Sequence, residues 1–159
     1  MERDPRPVMQ SRQNLFWCRN EPDCGYTNNV CGHYFQDLKE AQKLKKEYPD
    51  RFKFVQYERL SLHTEITVKE IWKFLHLKLR DETLAKVHKL TSAAAPPSNP
   101  YDTNRNTVSH TFYWRKTMSF EAVEKIQNAC QQVLSMLGLR SFSTREELHN
   151  TTVSAFLPH

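Results

Sequence analysis

Only one stretch of this chain, FKFVQYERL at residues 52–60, alternates as a strand does, with Phe52, Phe54 and Gln56 set against Lys53, Val55 and Tyr57. Elsewhere apolar residues return at helical intervals. Asp4 caps and Pro5 opens a helix that runs to about Arg12. From Cys31 to Tyr48 a stripe of Tyr34, Phe35, Leu38, Ala41, Leu44 and Tyr48 predicts a longer one, ended by Pro49. Thr67 and Glu70 form a capping box ahead of Val68, Ile71, Trp72 and Leu75. LRDETLAKVHKL supplies a shorter helix. A final long helix starts at Ser119, lines Phe120, Val123, Ile126, Cys130, Val133 and Leu137 along one face, and stops at Gly138. Between these, TSAAAPPSNPYDTNRNTVS holds three prolines and no period, and reads as a loop. One strand cannot make a sheet, so helix, strand and further helices predict an α/β layer arrangement whose other strands are missing.

Composition narrows the function. With 159 residues and 38% hydrophobic content the chain fills one modest core. Its formal charge of +5 favours anionic partners such as phosphate, sulfate or glycans, against the plainer reading of a solvated basic surface. Nucleic acid is not expected, because the aromatic residues fall on helix core faces rather than among exposed basic ones. No apolar run approaches a membrane span, and the first residues lack the apolar core of a signal peptide.

Three of the four cysteines, Cys18, Cys24 and Cys31, crowd a polar stretch, and the fourth is Cys130. An even number in so polar a context predicts disulfides, with the pairing left open. Zinc, with His33 as fourth ligand, is the competitor, but the spacing is not that of a short knuckle, and no metal is expected. Disulfides imply an oxidising compartment, where Asn150 in Asn-Thr-Thr is an N-glycosylation acceptor.

The opening RDPR reads as the end of a βα turn whose preceding strand is reduced to Met1 and Glu2. RDPRPVMQSR then resembles the 3'-phosphate-binding segment of the PAPS-dependent Golgi carbohydrate 6-O-sulfotransferases, in which an arginine and a serine eight positions on hold the nucleotide. Arg3 and Ser11 stand at that interval. YPDRFKFVQYERL is similar to the strand and corner of that family, with Arg59 where aspartate is usual. TVKEIWKFLHL is similar to the helix that follows, and residues 104–148 to the C-terminal block.

The resemblance implies the C-terminal part of a P-loop-NTPase-like α/β fold, a parallel sheet flanked by helices, with its first strands and 5'-phosphosulfate loop upstream of residue 1. Residues 1–149 would be a partial sulfotransferase domain and 150–159 a loosely ordered tail. It implies an enzyme, a transferase moving a sulfuryl group from PAPS to a carbohydrate hydroxyl such as the 6-position of N-acetylglucosamine or galactose. Adenosine 3',5'-bisphosphate leaves, and no metal takes part. Arg3 and Ser11 would anchor the cofactor, as would Arg105, Trp114 and Arg115 in a loop closing over it, with a packing role for Trp114 as the alternative. The catalytic base would lie upstream; Glu58 and His110 within the chain read as structural and solvated groups. The implied partner is a carbohydrate or glycoprotein acceptor, with glycosaminoglycan sulfation as the setting. The implied place is the Golgi lumen, with a membrane anchor in the longer parent and no membrane contact by this segment. A truncated, non-catalytic homologue binding nucleotide or anionic glycans is the second reading.

Overall fold

The structure, a computed structural model, describes residues 1–93 and 106–158. Its helices in chain order are α1 (Pro5–Gln13), α2 (Pro22–Gly25), α3 (Thr27–Glu47), α4 (Tyr57–Leu62) and α5 (Thr64–Phe74). They continue as α6 (Asp81–Thr91), α7 (Thr107–Thr111), α8 (Trp114–Thr117), α9 (Phe120–Ala129), α10 (Gln131–Met136) and α11 (Arg145–His149). Among the described residues there is no strand, only three isolated bridges, so the expected α/β fold with a parallel sheet is corrected to a helical one.

The reason is visible at residues 52–60. Phe52 to Val55 carry no regular structure, and the backbone bridge that follows is to Glu2: Glu2 N–H donates to Val55 O at 2.9 Å, and Tyr57 N–H to Glu2 O at 2.8 Å. That parallel contact spans a single residue pair, Glu2 with Gln56. From Tyr57 the chain turns into α4, where Leu60 N–H donates to Gln56 O at 2.9 Å. A sheet needs neighbouring strands of comparable length. Elsewhere the described residues form helices and the connections between them.

The chain divides into two compact units, Met1–Arg3 with Asp50–Tyr113, and Asp4–Pro49 with Trp114–His159. In the first, α4 packs on α5 and α7, and α5 on α6. Its core is thin: Val68 is the one buried aliphatic side chain among its described residues, while Ile66, Leu77 and Val108 stay exposed. Here α5 starts three residues before the expected capping box. Thr67 lies inside it, buried, with its hydroxyl donating to Arg59 O at 3.4 Å.

The second unit holds the dense core, with Met9, Val123, Val133, Leu134, Phe142 and Leu148 at 2% exposure or less. Its α1 begins as the sequence predicts, Asp4 accepting from Arg6 N–H at 2.9 Å. The expected single C-terminal helix is interrupted at Cys130, whose backbone (φ −102°, ψ 18°) separates α9 from α10. Cys130 is bonded to Cys31 of α3, and Cys18 to Cys24, so all four cysteines are paired with one another rather than with zinc. Gly138 ends the helical run at φ 65°, a left-handed position that favours glycine. Beyond Asn150, in the segment read from the sequence as a tail, Arg140 N–H donates to Ala155 O at 2.9 Å and Leu157 N–H to Gly138 O at 2.8 Å.

Candidate functional site

The densest polar chemistry lies in the second unit, where two arginines are buried around Phe142. Arg6 sits on the first turn of α1 with no exposed surface. Its Nε donates to Asp4 Oδ1 at 2.9 Å and its Nη2 to Asp4 Oδ2 at 2.8 Å. The remaining arm, Nη1, donates to Gln127 Oε1 at 3.1 Å and to Arg140 O at 2.7 Å. Gln127 is itself fixed, accepting from Phe142 N–H at 2.9 Å and donating to Phe142 O at 3.0 Å. The guanidinium carbon lies 4.7 Å from the Trp114 ring centre and 5.1 Å from that of Phe142. A buried charge is tolerable only when paired and fully bonded, and Arg6 meets that condition with protein groups alone.

Arg115, on α8, is 2% exposed and faces backbone oxygens. Its Nε donates to Leu148 O at 2.8 Å, Nη1 to Val153 O at 2.8 Å, and Nη2 to Asn150 O at 2.8 Å and Glu147 O at 3.1 Å. These carbonyls belong to the C-terminal turn of α11 and the segment after it. In return His149 Nδ1 lies 2.6 Å from Arg115 O. Burial pushes the Arg115 guanidinium below its ordinary value, the nearby Arg6 charge pushes it further, and Glu147 and Asp4 act the other way. Chemically, four of the five N–H donors of each planar fork go to protein oxygens, and they tie α1, α8, α9 and the C-terminal turn together.

The expected cofactor residues divide accordingly. Trp114 and Arg115 come together, inside the core of the second unit, where Trp114 packs against Phe142 at 6.2 Å between ring centres. Ser11 is exposed on α1 of the same unit. Arg3 belongs to the first unit, where its guanidinium stacks 4.2 Å from the Tyr57 ring centre. Arg105 lies outside the described residues. Glu58 is buried at the start of α4, and His110 is half-buried on α7. Sequence reasoning missed Arg6, which it passed over within the opening RDPR. The Asp-Pro-Arg order around the cap was the available signal, because it places a carboxylate within reach of the guanidinium two residues on.

The first unit has an open cavity of about 640 Å³ lined by Ser61, His63, Glu65, His88, Thr91 and Ser109 among others. Its charged groups already meet one another: Lys69 Nζ lies 2.6 Å from Glu65 Oε1, and His88 Nε2 3.5 Å from Glu65 Oε2. The lysine hydrogen bond first, then its charge and that of His88, hold the Glu65 carboxyl below the usual range.

With this geometry in hand, comparison with known proteins places the chain. The family model of the sulfotransferase domain matches residues 1–138, and the chain belongs to that family. It is 26% identical to carbohydrate sulfotransferase 5 of Mus musculus over 98% of this chain and 45% of that protein. It is 29% identical to carbohydrate sulfotransferase 1 of Homo sapiens over 96% of this chain and 41% of that protein. Against carbohydrate sulfotransferase 6 of Homo sapiens it is 24% identical, over 98% and 45%. The chain thus spans less than half the length of these relatives, and no solved structure matches it.

The narrower expectations drawn from the resemblance are corrected. The identification as a Golgi carbohydrate 6-O-sulfotransferase implied a parallel sheet flanked by helices, and the described residues form helices without a sheet. The three glycines do not form a phosphate loop: Gly25 ends α2, Gly32 lies within α3, and Gly138 follows α10. PAPS-dependent sulfuryl transfer, enzyme status, PAPS as cofactor, and the carbohydrate or glycoprotein acceptor all rested on that sheet. The described residues, helical and without a sheet, do not supply that basis. Among the described residues no group of His, Cys, Asp and Glu is gathered as a metal site, and no helix is long and apolar enough to cross a membrane.

Proposed function

We propose that this chain is a structural, non-catalytic part of a sulfotransferase-domain protein of the Golgi lumen, whose second unit is a disulfide-tied helical body cross-linked by its own arginines. One observation carries the reading: Arg115, a residue that a nucleotide-binding loop would turn toward phosphate, gives its donors to the carbonyls of Glu147, Leu148, Asn150 and Val153. Four of the five guanidinium N–H donors are thus committed to carbonyls at the end of α11 and just beyond it. The compartment is supported by the cysteines, all four of which are in disulfides, bonds that persist in the secretory pathway and are rare in the cytosol.

Thermal melts with and without adenosine 3',5'-bisphosphate test the structural role. A ligand that binds only the folded state must raise the melting temperature in a saturable way. The expected result is an unmoved melt. A saturable rise that disappears in Arg115→Lys would overturn the reading. For the compartment, thiols of the protein taken from its own cells are alkylated before and after reduction. All four cysteines are expected to react only after reduction; free thiols in the native protein would refute the lumenal assignment.

A further inference from the structure

We infer that Asn150 is an N-glycosylation site, an inference that rests on the lumenal half of the proposed function. Asn150-Thr151-Thr152 is the one Asn-x-Ser/Thr triplet in the sequence, with no proline at its centre. The fold presents it in a single turn. Asn150 closes α11, its N–H donating to Glu146 O at 2.9 Å, and its carbonyl accepts from Val153 N–H at 3.0 Å. Arg115 Nη2 donates to the same carbonyl at 2.8 Å, so the backbone is pinned from the core while the residue as a whole is exposed.

The side chain is equally well placed. Asn150 Oδ1 accepts from Thr152 N–H at 3.0 Å and from the Thr152 hydroxyl at 2.7 Å. The two groups that define the triplet therefore meet in the folded chain, and Nδ2 has no protein partner among the described residues. Attaching a bulky, solvated glycan at Nδ2 breaks no hydrogen bond of the fold and displaces no packed side chain.

The ligand class is an oligosaccharide carried on a lipid diphosphate. In the transfer, Nδ2 of Asn150 forms a bond to the anomeric carbon. The bond from that carbon to the diphosphate oxygen breaks, and the lipid diphosphate leaves with the electron pair. One amide proton is given up to a base of the transferring enzyme, and no oxidation or reduction occurs.

The test uses the full-length protein isolated from its own cells, digested with peptide N-glycanase, and analysed by electrophoresis and peptide mass. The expected result is a downward mobility shift on digestion, with residue 150 read as aspartate, the mark of a released N-glycan. Asn150→Gln and Thr152→Ala should each abolish the shift, and Thr152→Ser, which keeps the hydroxyl, should retain it. Loss of the shift in Thr152→Ala beside its retention in Thr152→Ser separates modification from any effect on folding. Disulfide-bonded protein with an unmodified Asn150 would overturn this inference and leave the lumenal reading intact. Free thiols together with an unmodified Asn150 would overturn both.

Discussion

At the scale of single residues, the chain shows how an arginine changes role with burial. Arg115 reads in the sequence as a group available to a phosphate and Arg6 only as part of the opening RDPR, because charge is visible there and burial is not. What decides their role is which oxygens surround them, and those come from Glu147, Leu148, Asn150 and Val153 for one and from Asp4, Gln127 and Arg140 for the other. Lysine has a point charge with three donors in place of a planar fork and cannot serve four carbonyls spread over residues 147–153. Arg115→Lys should therefore leave buried carbonyls unsatisfied and cost about 3 kcal/mol of stability. A drop in the urea midpoint at unchanged slope checks this; an unchanged midpoint would mean that the carbonyl bonds contribute nothing.

At the scale of elements, the two disulfides act on very different lengths of chain. Cys31–Cys130 joins α3 to the break between α9 and α10 across a sequence separation of 99, whereas Cys18–Cys24 closes a loop of separation 6. In the loop-entropy account the long closure contributes about 5 kcal/mol and the short one about 2 kcal/mol. Replacing Cys31 and Cys130 by alanine should lower the denaturation midpoint clearly more than replacing Cys18 and Cys24 by serine, and equal losses would contradict the ranking. The longer helices were legible, because their signals are local: the Asp4 cap, the α3 stripe, the Ser119 cap accepting from Ala122 N–H at 3.2 Å, and Gly138; the short α2, α4, α7, α8 and α11 were not, and α7 begins inside the stretch read as a loop. The strand at residues 52–60 was misread because pairing is not local. Residues with high strand propensity form no sheet when their backbone is bridged to a single residue, Glu2.

At the scale of the molecule, the acidic groups set the response to pH. Three exposed carboxyls sit below their ordinary value of 4.5. In Glu121 and Glu146 the first cause is the residue's own backbone N–H at a helix start, followed by the capping hydroxyls of Ser119 and Thr144; in Glu65 it is the bond from Lys69. A carboxyl lowered on folding contributes stability that is fully present above its unfolded value and lost as pH falls through the folded one. The melting temperature should thus hold between neutrality and about 5, then fall on further acidification, more gently in Glu121→Gln with Glu146→Gln. A melt that rises below the ordinary carboxylate range would contradict the direction of these shifts.

By itself the sequence determined the helical caps and stripes, the even set of cysteines, the Asn-Thr-Thr triplet and membership of the sulfotransferase-domain family, since each is written in residue type and short spacing. Only the tertiary structure decided which cysteines pair, that residues 52–56 find one bridge instead of a sheet, and that Trp114 and Arg115 face inward. Those outcomes depend on which distant backbone oxygens and rings come to lie beside a side chain. That is a property of packing, which no local pattern encodes.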